Sequence, residues 1–545
     1  MADLPPYTET SLDVIDETYD RLQATFASHR TQEAAYRLYN LKQLAFLIND
    51  NEERIIAAAQ ADLGKSSFEA RLAEVIPTLN EIDLAVKRLP EWMKDDKRTR
   101  DSTYAFKLAR PRVKKQPKGV ALIIGAWNYP FQLTLSPLVG AIAAGCPAVI
   151  KMSEHAPVSA ALIAELIPRY LDPEGYAVVN GAVAASTALL EKRWGHICYT
   201  GGGPVGKIVA GAAAKTLTPT TLELGGKSPT IVAPDADLKI TARRMLSIKQ
   251  MNVGQMCVSP DYVLVTKENV DAFTEELIKT LEHFHPPNSE RSFLNESAST
   301  FVRNTNDYQR LENVLDDAEK GGKVVYRGEA DKDRNRMGLS LVRLPRDAKD
   351  EESWLVRDEI FGPILVIIPV EDIDAAIKYI NAGPTPLALY VSSASRATFE
   401  KVVSQTLSGS AIWNDFAMTP ICRTVPFGGV GESGWGNYHG YDGFLAFSHQ
   451  RSLLEVPYWM EFAQKNRYAP NMNPRNERML KRVMGTGINF SRPVSVESER
   501  LALQRSRNRR HLYLGIIIVT LGAWLGFGAR SIGKVLGTLK AKLRL

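Results

Sequence analysis

Residues 119–151 read GVALIIGAWNYPFQLTLSPLVGAIAAGCPAVIK. No charged residue occurs from Gly119 to Ile150, and by length alone the run could cross a membrane. Asn128, Pro130, Pro137 and Pro147 break it into pieces too short for that. Residues 120–125 and 148–151 read as strands buried on both faces, with residues 134–145 as a packed helix between them. The stretch is a β-α-β unit, and that reading sets the fold class.

The same alternation continues outward. Residues 196–200 predict a strand, followed by GGGPVG and a helix over 207–215. Further strands are expected at 228–233, 262–265, 364–369 and 411–414, which makes an α/β protein with mostly parallel sheets to about residue 455. Upstream, residues 13–95 show apolar residues at helical spacing, as in 35–59. The more polar span 286–358 reads as surface excursions on this frame, and residues 470–499 as an irregular extension. The acidic start, MADLPPYTETSLDVIDETYD, has no apolar core and is neither a signal nor a transit peptide.

The chain has 545 residues, enough for two to four domains that each bury a core. With 45% hydrophobic residues, 38 Gly and 30 Pro, it is neither collagenous nor broadly disordered. Its four cysteines, Cys146, Cys198, Cys257 and Cys422, are widely spaced. That excludes a disulfide scaffold and a Cys-rich zinc module, and no metal is expected. The net charge of +6 is unevenly placed. Residues 501–545 hold nine Lys/Arg and no acid, leaving residues 1–500 at −3, which argues against nucleic acid as a partner. Within that basic tail, residues 512–529 carry neither charge nor proline. As a helix they would span about 27 Å, with Lys/Arg at both ends, and they read as a membrane anchor with the catalytic body on the cytosolic side.

Three features point to chemistry. Gly201, Gly202, Gly203, Pro204, Val205 and Gly206 fit G-x-G-x-x-G between a strand and a helix, the context in which backbone N–H groups meet a pyrophosphate. An acid is then sought for the ribose hydroxyls. Glu223 lies about 20 residues on, while Glu154 stands just beyond the strand 148–151, beside Lys151, and spacing does not choose between them. Cys257 sits in a short polar turn between helix and strand, which favours it as a nucleophile over Cys146 and Cys198 in their apolar settings.

Five motifs, in order, then resemble the aldehyde dehydrogenase superfamily over about residues 20–455. They are Trp127-Asn128-Tyr129-Pro130, the segment from Leu222-Glu223-Leu224 to Pro229, Gly254-Gln255-Met256-Cys257, Glu359-Ile360-Phe361-Gly362-Pro363, and the segment from Pro426-Phe427 to Gly431. Tyr438-His439-Gly440 and Phe447-Ser448-His449, with the tail, look most like the class 3 branch that includes fatty aldehyde dehydrogenases.

The resemblance implies the fold of that family, with a Rossmann-like NAD-binding domain, an α/β catalytic domain, a β-arm for dimerisation and a C-terminal transmembrane helix. It implies a cofactor domain over 1–222, with 97–118 in the arm, a catalytic domain over 223–411, and a return to the cofactor domain and arm over 412–455. An extension over 456–511, the anchor at 512–529 and a basic tail at 530–545 follow. It implies Cys257 as nucleophile, Glu223 as base and Asn128 as oxyanion donor. Lys151 and Glu154 would hold the adenosine ribose, residues 201–206 would approach the pyrophosphate, Glu359 with Phe361 would position the nicotinamide ribose and ring, and Trp127 would also bind the cofactor. The expected reaction is NAD-dependent oxidation of medium- to long-chain aliphatic aldehydes through a Cys257 thiohemiacetal and thioester. NADP is the weaker alternative, because Glu154 would repel a 2′-phosphate. A homodimer and a lipid bilayer are the expected partners. A reductase acting on acyl phosphates would not use the base Glu223, and a catalytically silent scaffold would have no use for Asn128, Glu223 and Cys257 together.

Overall fold

A computed structural model of the chain describes residues 3–295, 300–345, 354–465, 468–471, 473–484, 488, 490–506 and 517. Its contacts divide the chain into two compact units, Met1–Arg98 with Arg112–Leu453, and Thr99–Pro111 with Leu454–Leu545.

The charge-free stretch lies at the centre of the larger unit. Ala121–Ile124 and Ala148–Lys151 are neighbouring parallel strands with every residue buried, and all of the helix Gln132–Ala144 between them is buried too. A strand covered on both faces has no position for a polar side chain, which is why the segment lacks charge. The helix begins two residues before its expected start. Glu74, from another helix, accepts from the N–H groups of Phe131 and Gln132 and so caps an end that has no local capping residue. Its other end is held by the buried Arg37, whose Nη1 donates to the carbonyl of Ala143 at 3.0 Å.

These strands belong to a six-stranded sheet in the order Gly434–Trp435, Thr220–Leu224, His196–Gly201, Ala121–Ile124, Ala148–Lys151, Tyr176–Val179. All pairs are parallel except the first, at the edge. Helices between residues 34 and 92 pack with Gln132–Ala144 on one face, and Leu12–Ala27, Val183–Leu190 and Gly203–Lys215 contribute to the core on the other.

A seven-stranded sheet runs Val324–Tyr326, Ser340–Arg343, Ile364–Val370, Tyr262–Thr266, Pro229–Val232, Ala388–Ser392, Ser410–Trp413, parallel except for its first pair. The reading of 286–358 as surface excursions needs correction. Ser340–Arg343 pairs in register with Ile364–Val370, and Ser340, Leu341 and Val342 are buried. Four residues with only two large apolar side chains carry too short a pattern to declare a core strand. A third sheet joins Asp96–Lys97, Arg112–Pro117 and Ser448–Leu453 in antiparallel order.

In the smaller unit, the backbone N–H of Glu455 donates to Ala109 at 2.8 Å, and the helices Tyr104–Leu108 and Pro474–Met484 meet. Part of the segment read as irregular is thus helical. Apart from Ile517, the expected anchor at 512–529 lies outside the described residues, as does the basic tail. Among the described residues no helix is long and apolar enough to cross a membrane.

Candidate active site

In the six-stranded sheet the chain order reverses between Ala121–Ile124 and His196–Gly201, which opens a crevice at the C-terminal ends of those strands. Gly125, Ala126, Trp127 and Asn128 follow the first strand, and Gly201 and Gly202 close the second. All six line one cavity of about 460 Å³. The same cavity is lined by Gln255 and Cys257, just ahead of the strand Tyr262–Thr266, and by Glu359 and Phe361, just ahead of Ile364–Val370. Lys151, Glu154, Val205 and Glu223 complete the sequence-predicted residues on its walls. Gly203, Pro204 and Gly206 line an adjoining pocket instead.

Cys257 is partly exposed and follows a strained turn. Asn252, Val253 and Gly254 all have positive φ, of 49°, 45° and 74°. At Gly254 a Cβ would lie 2.4 Å from the carbonyl oxygen of Gly362, so only glycine fits. Left-handed Val253 costs on the order of 1–3 kcal/mol and persists because the turn is tied at several points. Asn252 donates its backbone N–H to Glu69 at 2.7 Å, and Gln255 donates Nε2 to the carbonyls of Asn252 and Phe301 at 3.1 and 3.0 Å. Burial pushes the Cys257 thiol up, and the carboxyl groups of Glu359 and Glu223 add to the effect. The resting thiol therefore holds its proton, and a base must take it before attack.

Asn128 is buried, and its Nδ2 donates to the carbonyl of Gln255 at 3.1 Å. An amide nitrogen carries two hydrogens, so one remains for a ligand in the cavity. Glu223 is the penultimate residue of the strand Thr220–Leu224, and both its carboxyl oxygens are buried with no hydrogen-bond partner among the described residues. Desolvation holds it well above the usual carboxylate range. A buried acid with no hydrogen-bond partner, facing a cavity, is costly to folding and suits proton transfer.

Glu359 is likewise raised by burial, to about 8, and the neighbouring Asp261 contributes to that rise. Phe361, with φ of 47°, meets Trp127 edge to face at 5.6 Å between ring centres. Across the crevice, Lys151 Nζ lies 3.1 Å from Glu154 Oε2 and donates to the carbonyl of Met152 at 2.8 Å. Burial works to raise Glu154, yet hydrogen bonding from its own backbone and the Lys151 ammonium hold it below the usual carboxylate range.

These residues fit a dinucleotide. The helix Gly203–Lys215 has Gly202 as its N-cap, with no side chain closing its N–H groups. A Cβ on Gly206 would strike Leu224 at 2.6 Å, so glycine there permits helix and strand to approach. At the other wall stand an acid and a cation, Glu154 and Lys151, within reach of the same cavity.

Sequence reasoning missed Arg303, Arg310, His155 and Asp307, which also line the cavity. Arg303 lies over the Trp127 ring at 4.8 Å and pairs with Asp307 at 2.7 Å, and Arg310 lies over Trp354 at 4.7 Å. All but His155 come from the span 286–358, whose polar composition predicts surface excursions. An i, i+4 Arg/Asp pair at a helix start is a common surface pattern, so nothing local marked it.

Comparison with known proteins adds a second line of support. The sequence profile of the aldehyde dehydrogenase family matches residues 7–453. Mouse aldehyde dehydrogenase family 3 member A2 is 42% identical over 451 residues, covering 83% of this chain and 90% of its own. The dimeric, NADP-preferring aldehyde dehydrogenase of rat is 40% identical over 84% of this chain and 98% of its own. Among solved structures, the substrate-bound state of Staphylococcus aureus AldH matches with a TM-score of 0.76 at 34% identity, over 83% of this chain and 98% of that one. Mycobacterium tuberculosis aldehyde dehydrogenase complexed with NAD+ shares the fold, with a TM-score of 0.73 at 23% identity over 82% and 91%.

Proposed function

Because the chain belongs to the aldehyde dehydrogenase family, we propose that it oxidises medium- to long-chain aliphatic aldehydes to carboxylic acids with NAD, and with NADP as a weaker alternative. The observation that carries this reading is the convergence of Cys257, Asn128 and Glu223 on one cavity that also presents Lys151, Glu154 and the glycine turn.

The chemistry of the chain's own residues follows from their surroundings. The Cys257 thiol gives its proton to a base, and its sulfur bonds to the aldehyde carbon. The carbonyl π pair moves to oxygen, and the free N–H of Asn128 and the backbone N–H of Cys257 stabilise that charge. Such donors contribute about 3–4 kcal/mol each in related chemistry. A bound nicotinamide dinucleotide supplies the hydride acceptor that turns the thiohemiacetal into a thioester. Glu223 then takes a proton from water, whose oxygen adds to the thioester carbon, and the Cys257 thiolate leaves with release of the acid. Glu223, whose carboxyl oxygens find no hydrogen-bond partner among the described residues, accepts a proton from the thiol or from water once it is ionised.

Glu154 supports NAD over NADP, since its ionised carboxylate repels a 2′-phosphate. The lipid-like substrate class rests on the class 3 relatives and on residues 512–529, read as a membrane anchor with the catalytic body on the cytosolic side. We assign a homodimer on the family's pattern, with the sheet containing Arg112–Pro117 and Ser448–Leu453 as the arm. The test is NADH formation from a long-chain aliphatic aldehyde by detergent-solubilised protein. NADH formation from short aldehydes alone would reject the substrate class, and none from any aldehyde would reject the activity.

A further inference from the structure

A buried ion pair lies behind the site, and the reaction as described does not use it. Lys65 and Glu74 have fully buried side chains, with Nζ 2.6 Å from Oε1. Burying two charges is costly, and such a pair persists only when its remaining hydrogen-bonding capacity is spent well. Here it is. Lys65 donates also to the backbone carbonyl of Asn128 at 2.7 Å, and its ammonium sits 3.9 Å from the centre of the Tyr129 ring. The second oxygen of Glu74 accepts from the N–H groups of Phe131 and Gln132 at 3.1 and 3.0 Å. Every backbone tie of the pair thus falls on the short segment that carries Asn128 into the helix Gln132–Ala144.

The opposite side of that segment is tied to the nucleophile turn. Asn252 Nδ2 donates to the same Asn128 carbonyl at 3.1 Å and to the Gln255 carbonyl at 3.0 Å, and Gln255 in turn accepts from Asn128 Nδ2. Tyr129 Oη lies 3.7 Å from Met256 Sδ, beside Cys257. Glu74 reaches this place through a π-turn, Arg71–Val75, inside the helical run from Ser67 to Trp92. An extra residue in a helix is a local cost, and such turns recur at functional sites.

We propose that Lys65, held by Glu74, is a positioning residue that keeps the Asn128 amide in register with Cys257. This rests on the reading of Asn128 as the oxyanion donor. An ammonium that fixes the Asn128 carbonyl fixes the peptide from which the amide projects, and a misplacement of about 1 Å at such a donor costs about 100-fold in rate.

The test compares Lys65→Met with wild-type enzyme for aldehyde oxidation and for alkylation of Cys257 by iodoacetamide. In alkylation the sulfur displaces iodide and no carbonyl oxyanion forms, so the Asn128 amide has no part. The expected result is kcat lower by about 100-fold, with KM and the alkylation rate within about threefold of wild type. In an Asn128→Ala background the same substitution should add less than about threefold, because both act through one donor. Unchanged kcat in Lys65→Met, a parallel fall in alkylation, or a fully additive loss overturns the proposal. Unchanged kcat in Asn128→Ala itself sinks the oxyanion reading, whereas a large loss there with none in Lys65→Met sinks the positioning role alone. Lys65→Met leaves Glu74 without its cation, so Lys65→Met/Glu74→Gln, which buries no charge and keeps an acceptor for Phe131 and Gln132, must give the same pattern.

Discussion

Asn128 Nδ2 donates at 3.1 Å to the backbone carbonyl of Gln255, two residues ahead of Cys257 and 127 residues along the chain from the donor. One hydrogen bond thus joins the loop that follows the first strand of one sheet to the turn that precedes a central strand of the other. It sets the amide and the sulfur in a common frame before any substrate arrives.

Replacing the nucleophile separates binding from chemistry. Cys257→Ala should abolish aldehyde oxidation while NAD still quenches the intrinsic fluorescence to which Trp127, in the cavity wall, contributes. Residual turnover in that variant would mean that another group attacks the aldehyde.

Glu223→Gln keeps the volume of the base and removes its basicity. Acylation should persist and hydrolysis should slow by about 10²- to 10⁴-fold, the usual range for a positioned base. Rapid quench and intact-mass measurement would reveal an acyl group accumulating on Cys257. A variant that shows no acyl-enzyme and turns over at the wild-type rate would place the base elsewhere.

The raised acids make stability depend on pH. Glu359 titrates near 8 in the folded protein and Glu223 well above its ordinary 4.5, so both keep protons that the unfolded chain has already lost. Where the native state binds more protons, stability falls as pH rises, here from about 5 to about 8. Lys249, lowered to about 8 by burial, acts with the opposite sign only above that pH. Urea midpoints should decline less steeply across the window in Glu359→Gln than in wild type. Equal slopes would show that Glu359 does not hold its proton when folded.

Glu154→Gln removes the charge that opposes a 2′-phosphate and leaves Lys151 beside the vacated position. The ratio of kcat/KM for NADP to that for NAD should rise about tenfold, equivalent to about 1.4 kcal/mol. A ratio that stays constant would assign nucleotide selectivity to other residues, with Arg303 and Arg310 the other cations on the cavity wall.

Truncation at residue 506 tests the anchor. The shortened protein should leave the membrane pellet on centrifugation and keep its kcat on a short-chain aldehyde that needs no bilayer. Continued sedimentation with membranes would move the attachment to the catalytic body.

Much of the site was legible because its parts sit at the ends of elements that composition makes visible. The charge-free run from Gly119 to Ile150 delimits two strands and a helix, which locates Trp127 and Asn128 on the connection between them. Lys151 and Glu154 follow from the end of the second strand, and residues 201–206 from the strand-to-helix turn. Spacing alone left Glu223 and Glu154 as rivals for the ribose. In the fold they are distinct groups: Glu223 is buried with no partner among the described residues, while Glu154 is part-exposed and paired with Lys151. Burial and pairing are properties of neighbours, and no local pattern encodes them.

What the sequence by itself determined was the class of the elements with a clear local pattern and the kind of chemistry present. Strand and helix periods, glycine turns and reactive side chains are local, and they survive in a linear reading. Tertiary structure alone decided how those pieces meet. It reversed the strand order between Ala121–Ile124 and His196–Gly201 to open the crevice, drew Ser340–Arg343 into a sheet its short pattern did not announce, and brought Arg303 over Trp127. It also buried Lys65 and Glu74 behind Asn128, two charges that any sequence reading would leave on a surface. Their burial is tolerable only because the fold supplies, from distant segments, a partner for each hydrogen bond they offer or accept.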